Sequence, residues 1–177
     1  TIGTNNEPQL IAFDNSAKKV YQVNFTYKDQ VKATRYANSG KTVSLPTTRD
    51  IVGSSYNEHH YYTIAFTDNF NENTTVTGDK QVTVSITEKD AYEIGSADEW
   101  NTFSNLVIKG ENGLDAKLTA DIDLGVYFKM VGDYYHPYFG TFDGQGHTLT
   151  MNWDSGNDQK VGVFNYVKDC IIKNLRL

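Results

Sequence analysis

A single stretch of this 177-residue chain spaces its apolar residues like a helix. Ser96 with Glu99 three residues on forms a capping box, Trp100, Phe103, Leu106 and Val107 follow at steps of three and four, and Gly110 offers a stop. A chain with one helix must bury its core on strands. The 12 Tyr, 9 Phe and 19 Thr suit pleated, half-buried surfaces, and a hydrophobic share of 38% is small for a thick helical core. The sequence therefore predicts a mostly β protein.

Period-two alternation begins at residues 20–27, with Tyr21, Val23, Phe25 and Tyr27 on one face and Gln22, Asn24 and Thr26 on the other. A weaker alternation over 31–36 leads to a turn at Asn38, Ser39 and Gly40 and to a strand over 42–45 that Pro46 ends. After an irregular stretch over 50–58, Tyr62, Ile64 and Phe66, then Val82, Val84 and Ile86, complete a small domain of five strands. Beyond the helix, strands are expected over 118–124, 148–153 and 171–177, between Gly-rich and Asp-rich turns. Ile122, Leu149 or Met151, and Leu175 recur about every 25 residues, the range of solenoid repeats. The expected organisation is a lead-in over 1–19, a strand domain over 20–89 and a helix-led segment over 90–177.

Charge and motif content narrow the chemistry. Sixteen Lys and Arg against 22 Asp and Glu give a net charge of -6, and no basic cluster exists to neutralise a phosphate backbone, so no nucleic-acid partner is expected. No run reaches the roughly 18 apolar residues of a membrane helix. The single Cys170 excludes an intramolecular disulfide without fixing a compartment, and between Ile171 and Ile172 on one side and a polar loop on the other it reads as a buried side chain. His59 and His60 are adjacent and on a strand would point to opposite faces, His136 lies in an aromatic loop, and His147 sits in a turn where a corner hydrogen bond accounts for it. Asp121 and Asp123 share one strand face and could join Asp143 around a cation or act as acid and base on a polysaccharide; the competing reading has them facing solvent or capping corners. With no P-loop, no nucleophile elbow and no His or Cys pair at metal-ligand spacing, no catalytic residue, metal or cofactor is expected.

The most unusual stretch is 127–139, where Tyr127, Phe128, Tyr134, Tyr135, Tyr138 and Phe139 surround His136 and Pro137. Exposed aromatic rings stack on sugars or peptides, which makes these seven side chains, His136 included, the candidate binding residues. The competing reading folds the loop over the flank of the strands and packs it on the Trp100 helix.

Two resemblances cover most of the chain. VYQVNFTY (20–27), TVSLPTTR (42–49) and NTTVTGDKQVTVSIT (73–87) together resemble the Listeria-Bacteroides repeat, the internalin B-type module of bacterial surface proteins, although Lys28, Asp29 and Gln30 stand where that module has a Gly-rich turn. IGSADEWNTFSNLV (94–107), AKLTADIDLG (116–125), GTFDGQGHTLTMNW (140–153) and VGVFNYVKDCIIKNLRL (161–177) resemble the GLUG-type surface proteins of Bacteroidetes. The first implies a β-grasp-like domain, the second the first rungs of a right-handed parallel β-helix capped by the helix. In GTFDGQGHTLT, Gly140, Gly144 and Gly146 are expected to allow tight corners and positive φ. Together the resemblances imply an extracellular or cell-surface protein that adheres to a glycan or a host surface protein without catalysis. The alternatives are a polysaccharide lyase or glycosidase and a structural stalk. The strand over 171–177, apolar at Ile171, Ile172, Leu175 and Leu177 and charged at Lys173 and Arg176, is expected either to continue into a longer protein cut at Leu177 or to pair two copies as a closed dimer.

Overall fold

The computed structural model describes residues 9–11, 17–152 and 162–177. Strands make up 39% and helices 15%, a mostly β protein. The chain divides into two compact units, Thr1–Tyr56 with Tyr62–Thr87, and Asn57–Tyr61 with Glu88–Leu177. No helix is long and apolar enough to cross a membrane among the described residues.

In the first unit, β1 (Gln9–Ile11), β2 (Ala17–Tyr27), β3 (Gln30–Asn38), β4 (Tyr61–Phe66) and β5 (Lys80–Lys89) share one sheet in the order β1-β2-β5-β4, with β3 paired to β2 as well. β2 runs antiparallel to β1 and β3 and parallel to β5, with Phe25 opposite Val82. The alternation over 20–27 buries Val23 and Phe25 beside Val82 and Val84, while Tyr21 and Tyr27 pack at the border of the same cluster. Phe66 and Phe70 each meet the Phe25 ring edge-on at 5.7 Å, the arrangement that ring quadrupoles favour. β2 and β3 join through Lys28 and Asp29, both at positive φ (51° and 60°), so the tight hairpin turn is built without glycine.

β3 departs from the simple alternation expected over 31–36. A bulge sets Phe25 opposite Ala33 but Thr26 opposite Val31, so Lys32 is left over and Val31 shifts to the outer face, 54% exposed. Residues 42–45 are not a strand. Only Lys41 bridges to Val76, after which Val43 turns into the core and Pro46 brings no N–H to a ladder. The irregular stretch contains a short helix, α1 (Thr48–Val52). Thr47 Oγ1 accepts the Asp50 N–H and the Asp50 carboxylate accepts the Thr47 N–H, a reciprocal cap that holds Ile51 in the core.

In the second unit, the long helix α2 (Ala97–Ile108) begins as its sequence predicts. Ser96 Oγ accepts the Glu99 N–H at 3.3 Å, and the Glu99 carboxylate accepts the Gly95 N–H at 2.8 Å. Its inner face, Trp100, Phe103 and Val107, is fully buried. All the strands around it pair in parallel. β6 (Tyr92–Ile94), β7 (Ala116–Leu118), β9 (Thr141–Asp143) and β11 (Ile171–Lys173) form one sheet in the order β11-β9-β7-β6, and β8 (Ile122–Asp123) pairs with β10 (Leu149–Thr150). Tyr92 aligns with Ala116, Ala116 with Phe142, and Phe142 with Ile172, so the chain returns to the same place after about 24 to 30 residues. Isolated parallel bridges Val131 to Phe164, Tyr138 to Val167 and Thr148 to Arg176 repeat the same advance elsewhere in the loops.

The strands are shorter than expected because the chain turns corners within them. The stretch 118–124 divides into β7 and β8, and 171–177 turns at Asn174 (φ 53°). Of the strand expected over 148–153, only Leu149 and Thr150 pair, and Trp153 lies outside the described residues. Ile122 aligns with Leu149 as its spacing suggests, but Arg176 lies opposite Thr148, so Leu175 falls two positions short of that stack. Cys170 is half-buried against the core and not fully enclosed.

The glycines of GTFDGQGHTLT serve two purposes. Gly146 alone takes positive φ (81°). At Gly140 a Cβ would lie 2.5 Å from the Leu114 carbonyl oxygen, and at Gly144 it would lie 2.5 Å from that of Asn174. These two are glycine because the neighbouring stretch of backbone passes too close for any side chain.

The outer face of the four-stranded sheet carries a ladder of alternating charge. Glu93 aligns with Lys117, Lys117 with Asp143 and Asp143 with Lys173. Lys117 Nζ lies 3.2 Å from Glu93 and Lys173 Nζ 3.3 Å from Asp143, and Lys89 bonds Glu93 from its other side at 2.8 Å. Opposite charges facing each other across strands fix the parallel register that the inward Tyr92, Ala116 and Phe142 stack also requires.

Candidate binding surface

The seven residues singled out in 127–139 divide into two groups. Phe128 and Tyr138 belong to the core, 6% and 0% exposed, and Phe139 is half-buried with its edge toward His59 at 6.3 Å. Tyr127, Tyr134 and Tyr135 project outward, at 92%, 74% and 83% exposure. The first part of the loop packs on α2: Trp100 Nε1 donates to the Lys129 carbonyl at 2.8 Å, the Ser104 hydroxyl donates to that of Met130 at 2.8 Å, and the Lys129 N–H donates to the Asn101 side chain. The Tyr138 hydroxyl has no protein hydrogen-bond partner; burial, reinforced by the nearby Asp115 carboxylate and Cys170, pushes its pKa up. That ring serves packing and stays neutral.

Tyr134 and Tyr135 are held by a turn that Asp133 organises. Its Oδ1 accepts the N–H groups of Tyr135 (2.9 Å) and His136 (2.7 Å) and lies 3.1 Å from His136 Nδ1. Desolvation alone would raise the Asp133 pKa, but the N–H bonds from His136 and Tyr135 and the His136 ring outweigh it and leave it lowered. The Tyr134 ring meets Tyr135 edge-on at 5.3 Å and Tyr166 at 6.1 Å. The result is three tyrosine rings beside an ionised carboxylate and an imidazole.

Asp133 and Tyr166 were not among the residues picked out from the sequence. An aspartate two residues before Tyr135 is the pattern of an Asx turn. Tyr166 lies one repeat after the loop, and the parallel advance that sets Tyr138 opposite Val167 brings it there, its carbonyl accepting the Tyr138 N–H at 2.9 Å.

The other candidate groups hold corners. Asp121 accepts the Thr148 N–H at 2.8 Å and lies 3.2 Å from His147 Nδ1; Asp123 accepts the Gly125 N–H; Asp143 accepts the Gln145 N–H and the Asn174 side-chain amide, both at 3.0 Å. Among the described residues no three His, Cys, Asp or Glu side chains are grouped to hold a metal. His59 and His60 part as expected of adjacent residues, toward Asp115 (3.3 Å) and Glu88 (2.6 Å). Asp115 also accepts the Thr141 N–H, so this carboxylate joins successive stretches of the second unit.

These corner bonds lower the pKa of Asp121, chiefly through Thr148, and of Asp143, chiefly through Gln145. A carboxylate whose folded pKa is lowered contributes stability that is complete above its unfolded value of about 3.9 and is lost as the pH falls through the folded one. Unfolding of the chain should therefore become easier as acid is added below about pH 4, with the unfolded state taking up more protons. Denaturation midpoints measured from pH 6 down should fall least steeply in Asp143→Asn; an unchanged slope would contradict the assignment.

The chain matches no protein-family model, no curated protein and no solved structure.

Proposed function

We propose that this chain is a non-catalytic binding module of a secreted or cell-surface bacterial protein, and that the tyrosine cluster of Tyr134, Tyr135 and Tyr166 beside Asp133 binds carbohydrate. One observation carries the reading: two adjacent tyrosines are 74% and 83% exposed, yet a hydrogen-bonded turn holds them in a defined arrangement. Large apolar rings are normally buried, and rings fixed outward offer flat faces to the C–H face of a sugar while their hydroxyls and the Asp133 carboxylate accept and donate at its rim. Tyr127 is an additional exposed ring whose contribution is separable by mutation.

The finer fold belongs to the same proposal. A sheet in which β2 lies between antiparallel β3 and parallel β5, with a short helix in the connection, supports a β-grasp-like reading of 20–89. Parallel strands recurring on one sheet, with α2 against their core, support reading 90–177 as the helix-capped start of a β-helix. The resemblances to the Listeria-Bacteroides repeat and to GLUG-type proteins support the bacterial surface setting.

The test is an array of plant, host and bacterial glycans probed with the native chain and with a Tyr134→Ala/Tyr135→Ala variant. Both side chains are exposed, so stability should change by no more than about 0.5 kcal/mol, while retention on the preferred glycan should fall at least about tenfold, or 1.4 kcal/mol. Equal binding by the two proteins, or a blank array, would overturn the reading. Release of reducing ends would replace it with an enzyme.

A further inference from the structure

The charge ladder is complete at one edge of its sheet and open at the other. Read outward from Asp143, it runs through Lys117 to Glu93, and Glu93 is held by a second lysine, Lys89. In the other direction it stops at Lys173 on β11, whose one sheet neighbour among the described residues is β9. Lys117 lies in register between two carboxylates; Lys173 has one. The inward stack stops at the same place. Ala116 and Phe142 are 2% and 0% exposed, whereas Ile172, next in register, is 42% exposed. Leu149 is 0% exposed, and Leu177, which follows the Arg176 bridge to Thr148, is 73% exposed.

We infer that the β11 edge is a docking site for a parallel strand of another polypeptide that carries an apolar residue opposite Ile172 and, immediately after it, an acidic residue opposite Lys173. Main-chain pairing supplies the affinity of such strand addition, and the alternate side chains supply the selection. The chain does not offer that complement itself. Two copies of β11 in parallel set Lys173 against Lys173, and in antiparallel centred on Ile172 they set it against Ile171 with no carboxylate. β6 does carry an apolar–acidic pair, Tyr92 and Glu93, but Lys89 already occupies that glutamate. The occupant is therefore a partner of stated chemistry, and self-pairing becomes an outcome of the test.

The test measures the binding of short labelled β-strand peptides to the native chain by fluorescence anisotropy. One peptide has a central valine–glutamate pair and the other valine–lysine. The glutamate peptide should bind about five- to tenfold more tightly at low salt, with the difference shrinking at about 0.5 M salt. Lys173→Glu should reverse the preference, and Ile172→Asp should weaken both peptides. Lys173 is exposed on an edge strand, so its reversal can be read without loss of the fold. A lysine that merely guards the edge against aggregation would bind neither peptide. That result, equal binding of both, or sedimentation showing a dimer that the glutamate peptide does not disperse, would overturn the inference. Because it concerns β11 and not the tyrosines, it fails or stands independently of the glycan array.

Discussion

Replacing Trp100 by alanine should lower the stability of the second unit by about 3–5 kcal/mol, as measured by chemical denaturation. The indole is fully buried, meets Phe142 and Phe164 edge-on at 5.8 and 5.9 Å, and donates its N–H to the Lys129 carbonyl. Its ring thus touches residues from two later strand-bearing stretches while its own helix comes before them. Truncation leaves a cavity among Phe103, Phe142 and Phe164 and an unpaired carbonyl, two costs that add to the lost burial. A loss below about 1 kcal/mol would mean that α2 lies against a surface rather than closing the core.

Gly140→Ala should cost about 3 kcal/mol, far more than an alanine usually does in a loop. Its Cβ would meet two carbonyl oxygens, those of Leu114 at 2.5 Å and Gly113 at 2.6 Å, and both belong to backbone that cannot step aside. Gly146→Ala is the matched control, because a Cβ there meets nothing within 4 Å and only the positive φ of 81° opposes it. That substitution should cost about 1 kcal/mol. If the two variants lose the same amount, the close parallel approach of 113–114 and 140 is wrong.

The periodic parts of this architecture could be read from the sequence, and the parts set by aligned neighbours could not. Alternation over 20–27 identified Val23 and Phe25, and helical spacing after Ser96 identified Trp100, Phe103 and Val107, because in each case one face is buried and the local period records it. α1 escaped notice since five residues hold little more than one turn of apolar spacing, although Thr47 and Asp50 spell its cap. The exposure of Val31 depends on a bulge, and a one-residue slip reverses faces without altering composition. The charge ladder draws on Glu93, Lys117, Asp143 and Lys173, which lie too far apart in sequence for any local window to join.

The candidate surface follows the same division. An aromatic run marked 127–139 correctly as a place of interest, but composition does not tell a core ring from an exposed one: Tyr138 is enclosed and Tyr135, three residues earlier, is 83% exposed. The decisive feature is the Asp133 turn, which reverses the chain between them. Tyr166 enters through parallel pairing, so it becomes visible only once the repeat is known.

The central claim, that the outward tyrosines and not the buried one receive a sugar, is tested most directly by nuclear magnetic resonance titration of the chain with soluble β-linked oligosaccharides. The ring resonances of Tyr134, Tyr135 and Tyr166 and the amide signals of 133–136 should shift together along one saturation curve, with those of Tyr138 and Phe128 unmoved. Saturable shifts that leave Tyr134 and Tyr135 untouched, or no shift with any oligosaccharide, would contradict it.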